Sequence, residues 1–137
     1  MSQETIHAAQ AAAGRVSEPE QLDEDRDQLH EECGVFGMYD KTGATDMVSA
    51  VYSALYALQH RGQESAGIAI TDGAWMDVTR GMGLVNEVFR HQVPHMENQC
   101  IAVGHVRYST TGSSLLANTQ PLLVNYAGGK IALAHNG

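Results

Sequence analysis

Glu31-Glu32-Cys33-Gly34-Val35-Phe36-Gly37 is where this 137-residue chain changes character. Residues 1–32 carry nine acids against Arg15 and Arg26, a net charge of −7 out of a total of −8. The remainder holds seven acids and six bases and is close to neutral. The leader is rich in Gln, Glu, Asp and Ala, with only Ile6, Val16, Leu22 and Leu29 as large aliphatics. Such a segment buries too little apolar surface to offset its ordering entropy, so disorder is expected of it, with a short helix around Gln21 to His30 as the alternative. Cys33 therefore stands at the head of an apolar run behind an unrelated acidic leader. That placement suggests a cysteine destined to become the first residue of a mature enzyme, supplying a thiol nucleophile and a free α-amine as its base. The plainer alternative is a small buried core thiol. Gly34 and Gly37 favour the first reading, because they permit close backbone approach around the sulfur.

Composition removes several classes of function. The body has no basic footprint for nucleic acid. No run of 18 apolar residues exists to cross a membrane. The leader lacks the basic start and apolar core of a secretory signal, and its acids argue against a mitochondrial transit peptide. Cys33 and Cys100 form neither a disulfide framework nor a paired metal-ligand spacing, and a cytoplasmic location is expected.

Working outward from Cys33, the body mixes two periodicities. Cys33 to Tyr39 reads as a short strand closed by the turn residues Asp40 to Gly43. From Asp46 to His60, Met47, Val48, Val51, Leu55 and Leu58 recur at helical spacing, with Asp46 or Thr45 as N-cap and Gly62 beyond the end. Ser65 to Thr71 predicts a strand, joined through a two-residue Asp72-Gly73 turn to a second strand, Trp75 to Arg80. Leu84 to Phe89 reads as a short helix or turn, and Ile101 to Tyr108 as another strand. Ile131-Ala132-Leu133-Ala134 reads as a buried strand leading into a turn at His135-Asn136-Gly137, and the abrupt end there suggests a fragment. One long helix among runs of strands predicts an α+β fold with antiparallel sheet.

Three further clusters carry chemistry. Gln59 to Gly67 is dense in polar and small residues between an apolar helix and an apolar strand, the composition of a site-lining loop; Arg61 near the helix end also suits simple dipole compensation. Arg107 lies in a strand that otherwise reads as buried, and an unpaired buried guanidinium is costly. Its partner is either one of the body's few acids or a ligand carboxylate held by the guanidinium fork. Asn-Gly at 136–137 is a strong turn signal, and it also offers a side-chain amide and a backbone N–H for an oxyanion hole.

In this order, Glu32 to Gly37, Leu58 to Gly67, Gly81 to Phe89, Gly104 to Thr110 and Leu133 to Gly137 resemble the class II glutamine amidotransferases, and most closely the branch that uses phosphoribosylpyrophosphate. Gln63 and Tyr108 separate that branch from the similar glucosamine-6-phosphate synthase-like enzymes. The resemblance implies an N-terminal-nucleophile hydrolase fold, a four-layer αββα arrangement with antiparallel sheets, incomplete over residues 33–137. It implies that residues 1–32 are a propeptide and that a phosphoribosyltransferase domain lies beyond Gly137. It assigns Cys33 as nucleophile, Arg61 as the residue that helps orient it, and Asn136 with Gly137 as the oxyanion hole. Arg107 would bind the glutamine carboxylate, with Tyr108, Ser109, Thr110 and His135 also lining the substrate site.

The implied reaction releases ammonia from glutamine to displace pyrophosphate from phosphoribosylpyrophosphate, giving 5-phosphoribosylamine for purine synthesis. The resemblance also implies Mg²⁺ in the transferase domain, a 4Fe-4S cluster in one branch, and a homo-oligomer. Residues 33–137 alone are expected to be inactive. Two other readings stay open: a different class II amidotransferase, and a non-catalytic module that keeps its leader.

Overall fold

The computed structural model describes residues 33–108 and 115–136. The leader, Ser109, Thr110 and Gly137 lie outside the described residues. The order of elements is β1 (Gly34–Tyr39), α1 (Met47–Ala57), a 3-10 turn (Gln59–Arg61), β2 (Ser65–Thr71), β3 (Met76–Met82) and α2 (Val85–Val88). After these come β4 (Ile101–Arg107), a second 3-10 turn (Leu116–Asn118), β5 (Leu122–Tyr126) and β6 (Gly129–Leu133). Strands β1, β4, β2 and β3 form one sheet in that order, every pair antiparallel, and β5 and β6 form a separate hairpin. The α+β expectation with antiparallel sheets is met. No helix among the described residues is long and apolar enough to cross a membrane.

Helix α1 forms where the apolar spacing places it. Met47, Val51 and Leu55 are one and two turns apart and wholly buried. Burying each contributes about 1.5–3 kcal/mol. Asp46 caps the helix by accepting from the Ser49 N–H at 3.1 Å and the Ser49 hydroxyl at 2.6 Å. The helix lies across the sheet so closely that a Cβ on Gly104 would sit 2.5 Å from Val51 Cγ1. Alternation along the strands then puts Ala66, Ile68, Ile70, Ala102 and Val106 on this face, all buried in one cluster with the helix residues.

Two expectations need correction. The β2–β3 connection runs over four residues, Asp72 to Trp75, rather than two. The Asp72 carboxylate accepts from the Ala74 and Trp75 N–H groups at 2.8 and 2.7 Å, an Asx turn that replaces the tight turn. Gly62 stands just past the helix end, as expected, in extended conformation, φ −158°. Its lack of a side chain serves contact, since a Cβ there would stand 2.6 Å from the Val106 carbonyl carbon. The strand at Ile131 to Leu133 is real but not buried: Ile131 and Leu133 are about half exposed. It pairs with β5, a strand that Leu122-Leu123-Val124 foreshadows and the sequence reading passed over.

Thr119 to Pro121 and the His135 carbonyl lie against the sheet face opposite α1. Gly67 and His105 are register partners on that face, one residue out of phase with the helix-facing positions. A Cβ on Gly67 would fall 2.1 Å from the Gln120 carbonyl oxygen. Arg80 on β3 donates to the carbonyls of Thr119 and Pro121 at 2.8 and 3.2 Å, holding this segment to the sheet.

Candidate active site

Cys33 precedes β1, and the pairing of Gly34 with Val106 brings it level with the end of β4. The thiol is buried. Its Sγ accepts from the Tyr108 N–H at 3.4 Å and lies 3.6 Å from the Tyr108 carbonyl oxygen as donor. The sulfur is thus held by the Tyr108 backbone. Arg61 Nε donates to the Cys33 carbonyl oxygen at 3.5 Å, so Arg61 holds the main chain of the cysteine and not its thiol.

Arg107 follows on the same sheet face as Cys33 and Ser65, by the register of β4 with β2. Its guanidinium finds an internal acid: Nη1 donates to Glu64 Oε1 at 3.1 Å, and both side chains are only 13% exposed. The pair is joined at one oxygen. Glu64 Oε2 is buried and has no partner among the described residues, and the same holds for the Ser65 hydroxyl next to it. Sequence reasoning left Glu64 unassigned, although its place in the loop facing β4 was a usable signal.

His105 lies two residues back along β4, wholly buried, with Nε2 3.1 Å from the His135 carbonyl oxygen. A carbonyl only accepts, so Nε2 carries the proton and the ring is held as this tautomer. Burial drives the ring pKa down from 6.5 to about 4, against the opposing hydrogen bond to His135. The folded ring takes a proton only near pH 4, whereas the unfolded one does so near 6.5. Between those values the unfolded chain binds more protons, so stability is complete above pH 6.5 and falls as pH drops toward 4. The expected loss is about 3 kcal/mol. Urea unfolding titrated over that range measures it, and a profile flat from pH 6.5 to 4.5 would contradict the assignment.

Cys33, Arg61, Arg107 and Tyr108 therefore meet in one corner, while His135 is tied to it through His105. Asn136 is exposed, and none of the hydrogen bonds of Cys33 among the described residues reaches it. Ser109, Thr110 and Gly137, expected at this site, lie outside the described residues. Among the described residues no group of three or more His, Cys, Asp or Glu converges on a point that could hold a metal ion.

No protein-family model matches the chain. Over 110 residues it is 48% identical to an amidophosphoribosyltransferase of Methanothermobacter thermautotrophicus, a match spanning 80% of this chain and 23% of that protein. It is 49% identical over 111 residues to the amidophosphoribosyltransferase of Synechococcus elongatus, spanning 81% of this chain and 22% of that one. Among solved structures, one described as the allosteric regulatory enzyme of purine biosynthesis matches with a TM-score of 0.59 and 40% identity, over 72% of this chain and 21% of the other. Homology and structure both point to the N-terminal glutamine-amidotransferase domain of amidophosphoribosyltransferase. The chain spans under a quarter of the length of these curated amidophosphoribosyltransferases.

Proposed function

We propose that residues 33–137 form the glutamine-hydrolysing part of an amidophosphoribosyltransferase, the start of a four-layer αββα N-terminal-nucleophile fold. In this reading residues 1–32 are a propeptide. Cutting the bond between Glu32 and Cys33 frees the α-amine of Cys33. That amine, with a reference pKa of about 7.7–8.0, takes the thiol proton as the sulfur attacks the side-chain amide carbon of glutamine. The oxyanion of the tetrahedral intermediate is received by the Asn136 amide and the Gly137 N–H. The amine returns the proton to the departing nitrogen, ammonia leaves, and a thioester remains. Water activated by the same amine attacks the thioester, giving glutamate and restoring the thiol.

The observation that carries this reading is the corner itself: a thiol fixed by the Tyr108 backbone at a strand start, level with the end of β4 that carries Arg107. Arg107 meets Glu64 at a single oxygen, which leaves the rest of its fork for the glutamine carboxylate. Tyr108, Ser109, Thr110 and His135 would line the bound glutamine. Ammonia would pass to a phosphoribosyltransferase domain encoded beyond Gly137 and displace pyrophosphate from phosphoribosylpyrophosphate, with Mg²⁺ acting in that domain.

The test uses the protein from the complete reading frame, with its leader removed. Glutamine together with phosphoribosylpyrophosphate is expected to yield glutamate and pyrophosphate in equal amounts. Glutamate formation that is unchanged by any phosphoribosyl donor, with no pyrophosphate released, would reject the transferase half of the proposal.

A further inference from the structure

The peptide units on either side of His135 are gripped by two side chains from different parts of the fold. His105 Nε2, from the middle of β4, donates to the His135 carbonyl oxygen at 3.1 Å. Gln120 Oε1, from the loop before β5, accepts from the His135 N–H at 2.8 Å. His105 is wholly buried and Gln120 is 6% exposed, yet the residue they hold is itself exposed. Two buried polar side chains are thus committed to the main chain of one surface residue.

Each grip is itself anchored. The Gln120 backbone rests on Gly67, where no Cβ fits, and Arg80 binds the carbonyls of Thr119 and Pro121 on both sides of it. His105 is fixed in the sheet between Val35 and Gly67 by strand register. Its Nδ1 is buried with no partner among the described residues, a cost the fold bears while Nε2 serves His135. Burial keeps the ring neutral at pH 7, so the grip persists unchanged over the physiological range.

The peptide that begins at the His135 carbonyl ends at the nitrogen of Asn136. Fixing that carbonyl fixes the plane from which the Asn136 side chain departs. We propose that His105 and Gln120 are positioning residues for the oxyanion hole: they act through the His135 backbone to set where Asn136 presents its amide. The inference rests on Asn136 serving as the oxyanion donor. Neither residue touches substrate in this account, and their effect falls on the transition state, because misplacing a donor by about an ångström weakens what it gives the oxyanion without removing glutamine binding.

The test measures glutamine hydrolysis by the mature full-length protein. Gln120→Leu, which keeps the bulk and loses the acceptor, is expected to lower kcat about 10- to 100-fold with KM within about threefold. Gln120→Glu, which retains an acceptor oxygen, is expected to stay within about fivefold of the parent in kcat. Gln120→Asn keeps the amide one methylene short and replaces the leucine variant should that fail to fold, with the same expected direction. A merely structural role is separated by a double-mutant cycle: in an Asn136→Ala background the Gln120 change is expected to cost less than about twofold more, since the group it positions is gone. Equal losses for the leucine and glutamate variants, or full additivity with Asn136→Ala, would overturn the inference. An Asn136→Ala enzyme with unaltered kcat would instead overturn the oxyanion assignment, and the inference with it.

Discussion

Cys33→Ala is expected to abolish glutamine hydrolysis, lowering kcat by at least about 10⁴-fold, as loss of a covalent nucleophile does. The size of that effect decides between the two readings of Cys33. As a core thiol it makes two weak sulfur contacts to the Tyr108 backbone and is buried at the edge of the sheet. Truncating such a side chain costs about 1 kcal/mol of stability and leaves activity intact. As the nucleophile it carries the reaction, and its removal takes away the sulfur that forms the thioester. Thermal melting and steady-state hydrolysis on the same variant give both numbers: a nearly unchanged melting temperature with no measurable glutamate is the expected pair. An active alanine variant would remove Cys33 from the mechanism.

The largest effect on folding is expected at Gly67. A Cβ there would lie 2.1 Å from the Gln120 carbonyl oxygen and 2.9 Å from Arg80 Cβ. The first contact is with backbone, so no side-chain rotation relieves it and the segment Thr119 to Pro121 must move away. Overpacking of this kind costs about 1–3 kcal/mol or more, and the displacement also strains the Arg80 hydrogen bonds. Gly67→Ala is therefore expected to lower the melting temperature by roughly 10 °C or more. Gly37→Ala is the control, because its Cβ would come no closer than 3.4 Å to any neighbour, Val103 Cγ2; a shift of less than about 5 °C is expected there. Gly67→Ala melting like Gly37→Ala would mean that the segment carrying Gln120 does not sit on this face.

Legibility in the sequence followed the physics of each element. Helix α1 was readable because an amphipathic helix repeats its apolar residues along the chain, and Asp46 marked its start. Strands β1, β2 and β4 were readable because their apolar runs are short and bounded by turn residues. Gly62 marked the helix end, and its lack of a side chain also admits another strand, a contact between distant residues. Strand β5 was missed although Pro121 before it and Gly128-Gly129 after it bound its short apolar run. Cys33, Arg61, Arg107 and Tyr108 were named from the sequence and do meet in one corner. Glu64, His105, Gln120 and Arg80 were not, because each acts on a partner 30 or more residues away except Gln120, whose partner His135 is 15 away. No local pattern encodes such pairings.

The central claim is that Cys33, freed from its leader, is the group that attacks glutamine. The most direct measurement treats the mature full-length protein with a diazoketone analogue of glutamine, then determines intact mass and maps the modified peptide. The expected result is a single adduct on Cys33 in a peptide that begins with that residue, blocked by excess glutamine. An adduct on any other residue, or a mature protein that still carries residues 1–32 and reacts nonetheless, would contradict it.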